Sequence, residues 1–345
     1  MRKFAFIAIS ISMFFLTCCG EKDRYIQING FAQGGKYTVK LNTKGISVPA
    51  EEIKDSIEAL LHTIDTTLSG YNPGSQLSRF NAGEAIVPGK LFRDMYRMGY
   101  ELWERSEGAL DFAAGPLYDA WGFGFKNSSF PSDRQIDSLL KSCGMRFLPR
   151  ELPAGILDPA SLGYPRLNYN AIAQGYSCDI IAKYLYGIGA RDMLVDIGEI
   201  WCDGLNPSGK PWAVGIDRPT DHAPGNESQD IIESIWTSEG KPSGIVTSGN
   251  YRKFYIRDGR KYAHTVNPVT GYPVSHNLLS ATIVSSKSAA EADALATWCM
   301  VTGLEASIKT IEEDTSLEGF LIYQDENGEM ASWASSGFAV RGEGR

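Results

Sequence analysis

Asp293 and Thr297 stand four residues apart in the run Glu291-Ala292-Asp293-Ala294-Leu295-Ala296-Thr297. On a helix that spacing puts both on one face. A carboxylate and a hydroxyl among alanines offer hard oxygen ligands of the kind Mg²⁺ takes. The same aspartate, near a helix start, can equally complement the helix dipole. A second segment, Leu167-Asn168-Tyr169-Asn170-Ala171-Ile172-Ala173-Gln174-Gly175-Tyr176, reads as a strand end over Leu167–Tyr169 passing into a helix. Asn170 is a suitable N-cap, and Gly175 permits close backbone approach. Free N–H groups at such a start attract phosphate, though any capped helix has them. A third segment, Tyr262 to Pro273, carries His264 before the turn formers Asn267-Pro268 and Thr270-Gly271. An imidazole there can serve as a general base or phosphate contact, or merely close a strand.

These residues need elements to hold them. Apolar residues at helical spacing predict helices over Glu51–Thr66, Leu91–Ser106 (stopped by Gly108), Ala171–Tyr186 and Ala289–Thr302 (closed by Gly303), with a polar helix over Asp133–Ser142. Strand-like alternation marks Tyr25–Ile28, Tyr37–Leu41, Met193–Ile197, Trp212–Ile216, Ile231–Trp236, Ile245–Ser248, Leu278–Val284 and Leu321–Tyr323. Phe254–Arg257 and Lys261–Thr265 flank Asp258-Gly259, a hairpin signal. Leu68 to Ser75 is a loop, Gly115–Phe125 a Gly- and aromatic-rich segment, and Pro219–Asp230 a surface excursion. Helices and strands mix without strict alternation, so the expected class is α+β, with a largely antiparallel sheet.

Arg2 and Lys3 precede a compact apolar run, Phe4–Leu16, ending in Leu16-Thr17-Cys18-Cys19-Gly20. This fits a signal peptide over residues 1–18 with a lipobox, followed by a tether over 19–24. Leu16 lies three positions before Cys19, which favours Cys19 over Cys18 for lipidation. The alternatives are ordinary cleavage or an N-terminal anchor. The chain is then expected to be exported and lipid-anchored, facing the periplasm or outer surface. Without residues 1–18 the chain has 31 basic against 41 acidic residues, a net charge near −10. That excludes a general nucleic-acid binder and electrostatic adhesion to an anionic membrane. Cys143, Cys178, Cys202 and Cys299 match no zinc or iron–sulfur spacing, and could form disulfides or remain buried thiols. No pair among His62, His222, His264 and His276 has metal-ligand spacing.

Further motifs join these in a fixed order. They are Leu68-Ser69-Gly70-Tyr71-Asn72-Pro73-Gly74-Ser75, then Asp111 with Gly115-Pro116-Leu117 and Trp121-Gly122-Phe123-Gly124, and Ser248-Gly249-Asn250-Tyr251. With Ala171-Ile172-Ala173-Gln174-Gly175-Tyr176, His264 to Gly271 and Ala292 to Thr297, the sequence resembles the FAD:protein FMN transferase family, the ApbE-type flavin transferases. The resemblance runs from about Gly34 to Phe338. It implies a single T-fold-like domain over 25–345 and Mg²⁺-dependent cleavage of FAD, its substrate. Asp293, Thr297 and the backbone oxygens of Ala171 and Ala296 would hold the metal. Gln33, Tyr71, Ala109, Leu110, Asp111, Asn168, Gln174 and Val266 would line the FAD site. His264 would stand beside the reacting pyrophosphate, with Asp293 and His264 as the catalytic pair.

The implied reaction moves FMN to a threonine or serine hydroxyl and releases AMP. The family's acceptors are extracytoplasmic subunits of sodium-pumping NADH:quinone oxidoreductase (Nqr-type) or Rnf-type complexes. An FAD pyrophosphatase and a non-catalytic flavin-binding lipoprotein are the alternatives. The chain departs from the family pattern at Gln33-Gly34-Gly35, where Met-Gly-Thr is usual. Asn168 replaces an aspartate, Ala113 replaces a threonine, and a single Gly198 precedes Glu199-Ile200.

Overall fold

The structure, a computed structural model, describes residues 24–125, 130–219, 232–250, 254–257 and 260–339. The signal segment, Cys18 and Cys19, most of the tether, the Asp258-Gly259 turn, and nearly all of the excursion after Pro219 lie outside the described residues.

The chain opens with a hairpin, β1 (Tyr25–Ala32) and β2 (Gly35–Asn42), then helix α1 (Ala50–Leu68). Helices α2 (Gln76–Asn81), α3 (Lys90–Arg105), α4 (Gly115–Ala120) and α5 (Asp133–Leu140) follow. After two short 3₁₀ turns come α6 (Ala173–Gly187), β3 (Met193–Asp196), β4 (Ile200–Asp203), β5 (Ala213–Asp217), β6 (Ile232–Thr237) and β7 (Ser243–Gly249). The last part holds β8 (Phe254–Arg257), β9 (Arg260–Ala263), β10 (Leu278–Ser285), α7 (Ala289–Thr302), α8 (Leu304–Glu313), β11 (Leu317–Gln324) and β12 (Met330–Ala334).

One eight-stranded sheet runs β1-β2-β3-β4-β7-β10-β11-β12, and each neighbouring pair in it is antiparallel. The α+β expectation therefore holds. The expected hairpin pairs as β8–β9, and the strands either side of the surface excursion pair as β5–β6. Helices α6 and α7 lie against the sheet. Ile181 and Leu185 pack with Val39, Val195 and Ile57, while Leu295 and Met300 pack with Val246, Ile283 and Leu321. Burying these branched side chains on the pleated face is what seats both helices.

Two expectations need correction. Leu167–Tyr169 is not a strand: Arg166 makes one parallel bridge to Ala114, and Asn168 donates its N–H to the Phe112 carbonyl at 2.8 Å. Asn170 is not the N-cap of α6. The Asn168 side chain accepts the Asn170 N–H at 2.9 Å, the chain makes one more turn, and Ile172 stands at the cap without a side-chain hydrogen bond. The local Asx turn wins over the helix start. The four cysteines are free thiols, with Cys178, Cys202 and Cys299 buried. No helix among the described residues is long and apolar enough to cross a membrane.

Candidate functional site

Asp293 sits one turn into α7 with a relative exposure of 5%. Its Oδ2 accepts the backbone N–H of Gly175 at 3.1 Å. Gly175 is the third residue of α6, so its N–H is one of the first-turn donors that no carbonyl within the helix can take. The aspartate thus satisfies the start of α6 from another helix. Burial drives the Asp293 pKa up, the negative Asp179 adds to this, and the Gly175 N–H opposes it.

A second pair of contacts gives the register of the two helices. Asp179 accepts N–H groups from Ala289 at 2.8 Å and Ala290 at 3.0 Å. One turn back along α6, Gly175 meets Asp293, one turn forward along α7. The helices are therefore antiparallel; Thr297 lies one turn beyond Asp293 on α7, and Ala171 precedes the first turn of α6. The Thr302 hydroxyl turns back onto the Trp298 carbonyl at 2.9 Å, whereas no such bond holds Thr297 to its own helix. The seam thus holds one buried carboxylate, Asp293, with the Thr297 hydroxyl one turn along the same helix.

Among the described residues, no group of three or more His, Cys, Asp and Glu side chains gathers for a metal. An oxygen set with one carboxylate does not suit zinc or a soft metal. It does fit Mg²⁺, which takes one or two carboxylates and retains waters. Ala296 is fully buried among Val246, Ala281 and Ile283, so only its backbone oxygen could take part.

An aromatic rim adjoins this seam through Asn170. The Asn170 amide donates to the Tyr71 hydroxyl at 3.0 Å. Tyr71 is 70% exposed and meets Phe125 edge-on, with ring centroids 5.1 Å apart. In the same segment Phe123 meets His264 edge-on at 6.4 Å. The turn after His264 is pinned there, since Trp121 Nε1 donates to the Gly271 carbonyl at 2.8 Å. The aromatic-rich segment and the histidine turn, far apart in sequence, thus form one wall.

The remaining expected residues divide into two groups. Gln33, at the tip of the β1–β2 hairpin with φ 51°, donates to the Ser177 hydroxyl on α6 at 2.5 Å. Gln174 donates to the Ile197 carbonyl at 3.1 Å, over Gly198. These two surround the α6 end of the seam. Leu110 and Val266 bury their side chains in hydrophobic clusters, so only their backbones could meet a ligand. Ala109 closes a turn onto the Ser106 carbonyl.

Asn168 is buried, with its oxygen engaged by Asn170. The Asp111 carboxylate accepts N–H groups from Ala113 and Met145, and burial raises its pKa against those bonds. It pins the 143–146 loop. Sequence reasoning missed Asp179, Phe125 and the Asn170–Tyr71 bond. Their partners lie 99 or more residues away for Asp179 and Asn170, and no local pattern marks them. A surface recess on α3, lined by Lys90, Arg93, Asp94, Tyr96, Arg97, Glu151 and Leu152, shares none of these residues.

The family model described as the ApbE family matches residues 34–321. A FAD:protein FMN transferase of Escherichia coli is 30% identical over 83% of this chain and 81% of its own length. One from Haemophilus influenzae is 29% identical over 97% of both chains. Among solved structures, the flavin transferase ApbE from Vibrio cholerae superposes with a TM-score of 0.76 at 29% identity, covering 92% of this chain and 99% of that one. The flavinyl transferase ApbE of Pseudomonas stutzeri gives 0.77 at 29% identity, covering 91% and 95%.

Proposed function

The chain belongs to the ApbE family, and on that premise we propose that it is an FAD:protein FMN transferase dependent on Mg²⁺. The observation that supports this reading is the bond from Gly175 to Asp293, which holds the one carboxylate of the expected metal set, buried, where two helices meet. Asp293, Thr297 and the carbonyls of Ala171 and Ala296 would hold the metal. When bound, Mg²⁺ supplies charge neutralisation to the pyrophosphate.

The chain's own residues do the rest. Tyr71, held by Asn170 and backed by Phe125, offers a ring face to a flavin or adenine. Gln33, Gln174 and Asn168, with the Ala109-Leu110-Asp111 and Val266 backbones, orient the substrate. The acceptor is a threonine or serine hydroxyl. Its oxygen bonds to the FMN-side phosphorus as the bond to AMP breaks, and His264 takes the proton. Phosphoryl transfer asks mainly for such positioning. In this reading the protein is exported and lipid-anchored at Cys19, and its acceptors are extracytoplasmic subunits of Nqr-type or Rnf-type redox complexes.

The test is incubation with FAD, Mg²⁺ and a candidate acceptor domain. Covalent flavin fluorescence on the acceptor together with free AMP is the expected result. AMP without labelled protein would mean that water takes the acceptor's place, as in an FAD pyrophosphatase. Neither product, with FAD retained, would leave a flavin-binding lipoprotein.

A further inference from the structure

Asp179 lies outside the set of residues just assigned, yet it contacts the helix that carries Asp293. Its two carboxylate oxygens take the first two N–H groups of α7, Ala289 to Oδ1 at 2.8 Å and Ala290 to Oδ2 at 3.0 Å. Each oxygen has its own donor, so rotation and sliding of α7 about its axis are both restrained. The surroundings leave no slack. A Cβ on Gly175 would lie 2.4 Å from the Ala289 carbonyl oxygen, and one on Gly244 of β7 would lie 2.5 Å from the Ala289 Cα. The start of α7 is thus wedged between α6 and the sheet, with Asp179 setting where along α6 it stops. Gly175 and Asp179 are i and i+4 on one face of α6, and their partners Asp293 and Ala289 are one turn apart on α7.

We propose that Asp179 is a positioning residue for the metal site: its two-pronged hold on the α7 N-terminus fixes the helix register that brings Asp293 level with Gly175 and sets Thr297 one turn beyond. The proposal rests on the Mg²⁺ reading above. It predicts that loosening this hold weakens metal binding while leaving the fold in place. In Asp179→Asn one oxygen still accepts, but the amide NH₂ faces the other N–H.

The probe is Mn²⁺, titrated into the full chain by electron paramagnetic resonance without FAD, with Mg²⁺ as competitor. Asp179→Asn should weaken Mn²⁺ binding about tenfold or more, and transfer should need correspondingly more Mg²⁺ to saturate, with kcat at saturation little changed. Ser132→Ala, which removes the capping box of α5, serves as a stability control and should leave Mn²⁺ affinity unchanged. If Asp179→Asn is insoluble, Asp179→Ser, which keeps one acceptor, takes its place with the same expectation. Wild-type and Asp179→Asn binding Mn²⁺ equally, while Asp293→Ala does not bind, would overturn the role of Asp179 alone. Wild-type protein that binds no Mn²⁺ would overturn the metal reading beneath it.

Discussion

At the α6–α7 seam, Gly175 lies 3.1 Å from a carboxylate that is 5% exposed, and no atom could be added to Gly175 without meeting the neighbouring backbone. At the rim, Tyr71 is 70% exposed and held by one side-chain bond and one edge-on ring contact. The seam is built from backbone groups and small residues, so its geometry follows from how two helices pack. The rim is built from side chains with room around them, so its geometry can adjust. A site that must hold a small ion tightly and admit a large planar ligand has reason to use both.

The largest break in that comparison should come from Asp293→Ala. Mg²⁺-dependent transfer should fall by at least about 100-fold, since the only carboxylate of the donor set is gone. Transfer assays across Mg²⁺ concentrations check this, and undiminished turnover would remove Asp293 from the site. Next, Gly175→Ala should cost about 1–3 kcal/mol in urea unfolding, because the new methyl meets backbone that cannot swing aside. Gly74→Ala, in the loop after Tyr71, meets only the end of the Asn72 side chain at 3.4 Å and should change little. Equal costs at the two glycines would erase the distinction between seam and rim.

A smaller effect should appear in pH. Burial raises the Asp179 pKa to about 6, with the negative Glu291 adding to it and the Ala289 and Ala290 amides opposing it. The folded state then holds a proton that the unfolded chain has released. Metal-free stability from this group is therefore full below about 4 and lost as pH rises toward about 6. The difference between wild type and Asp179→Asn should change by about 1–2 kcal/mol across that window, read from denaturant midpoints. Smaller still, Tyr71→Ala should weaken FAD binding about three- to tenfold in fluorescence titration. Tyr71→Phe, which keeps the ring and loses the Asn170 bond, should stay within about twofold.

Much of this was legible because its causes are local. The bounds of α7 match the pattern: Ser288 caps it by accepting from Glu291, and Gly303 ends it at φ 88°. The hairpin strands follow from turn residues between alternating runs. Other elements were hidden. Helix α2 is capped by Ser75, a residue read as part of a loop because Asn72-Pro73-Gly74 dominates there. Strand β4 is four residues long and follows β3 after a turn at Gly198, too short for alternation to register. Asn170 was misread because two Asx-forming residues compete for one turn, and the tertiary bond to Tyr71 uses the side chain elsewhere. Asp179 carries no sequence mark, since an aspartate on a helix is ordinarily a solvated one.

The separation of 118 positions from Gly175 to Asp293 also has a consequence in time. At about 5–20 residues per second, a ribosome needs roughly 6–24 s to follow one with the other. Throughout that interval α6 exists without its partner, and Asp179 has no helix end to hold. A nascent chain that stops just before α7 has all but one buried residue of each of two hydrophobic clusters, but not the proposed ion site. Mn²⁺ binding would therefore score completed chains against stalled or truncated ones, all or none, where a probe of helix content would register only a partial loss.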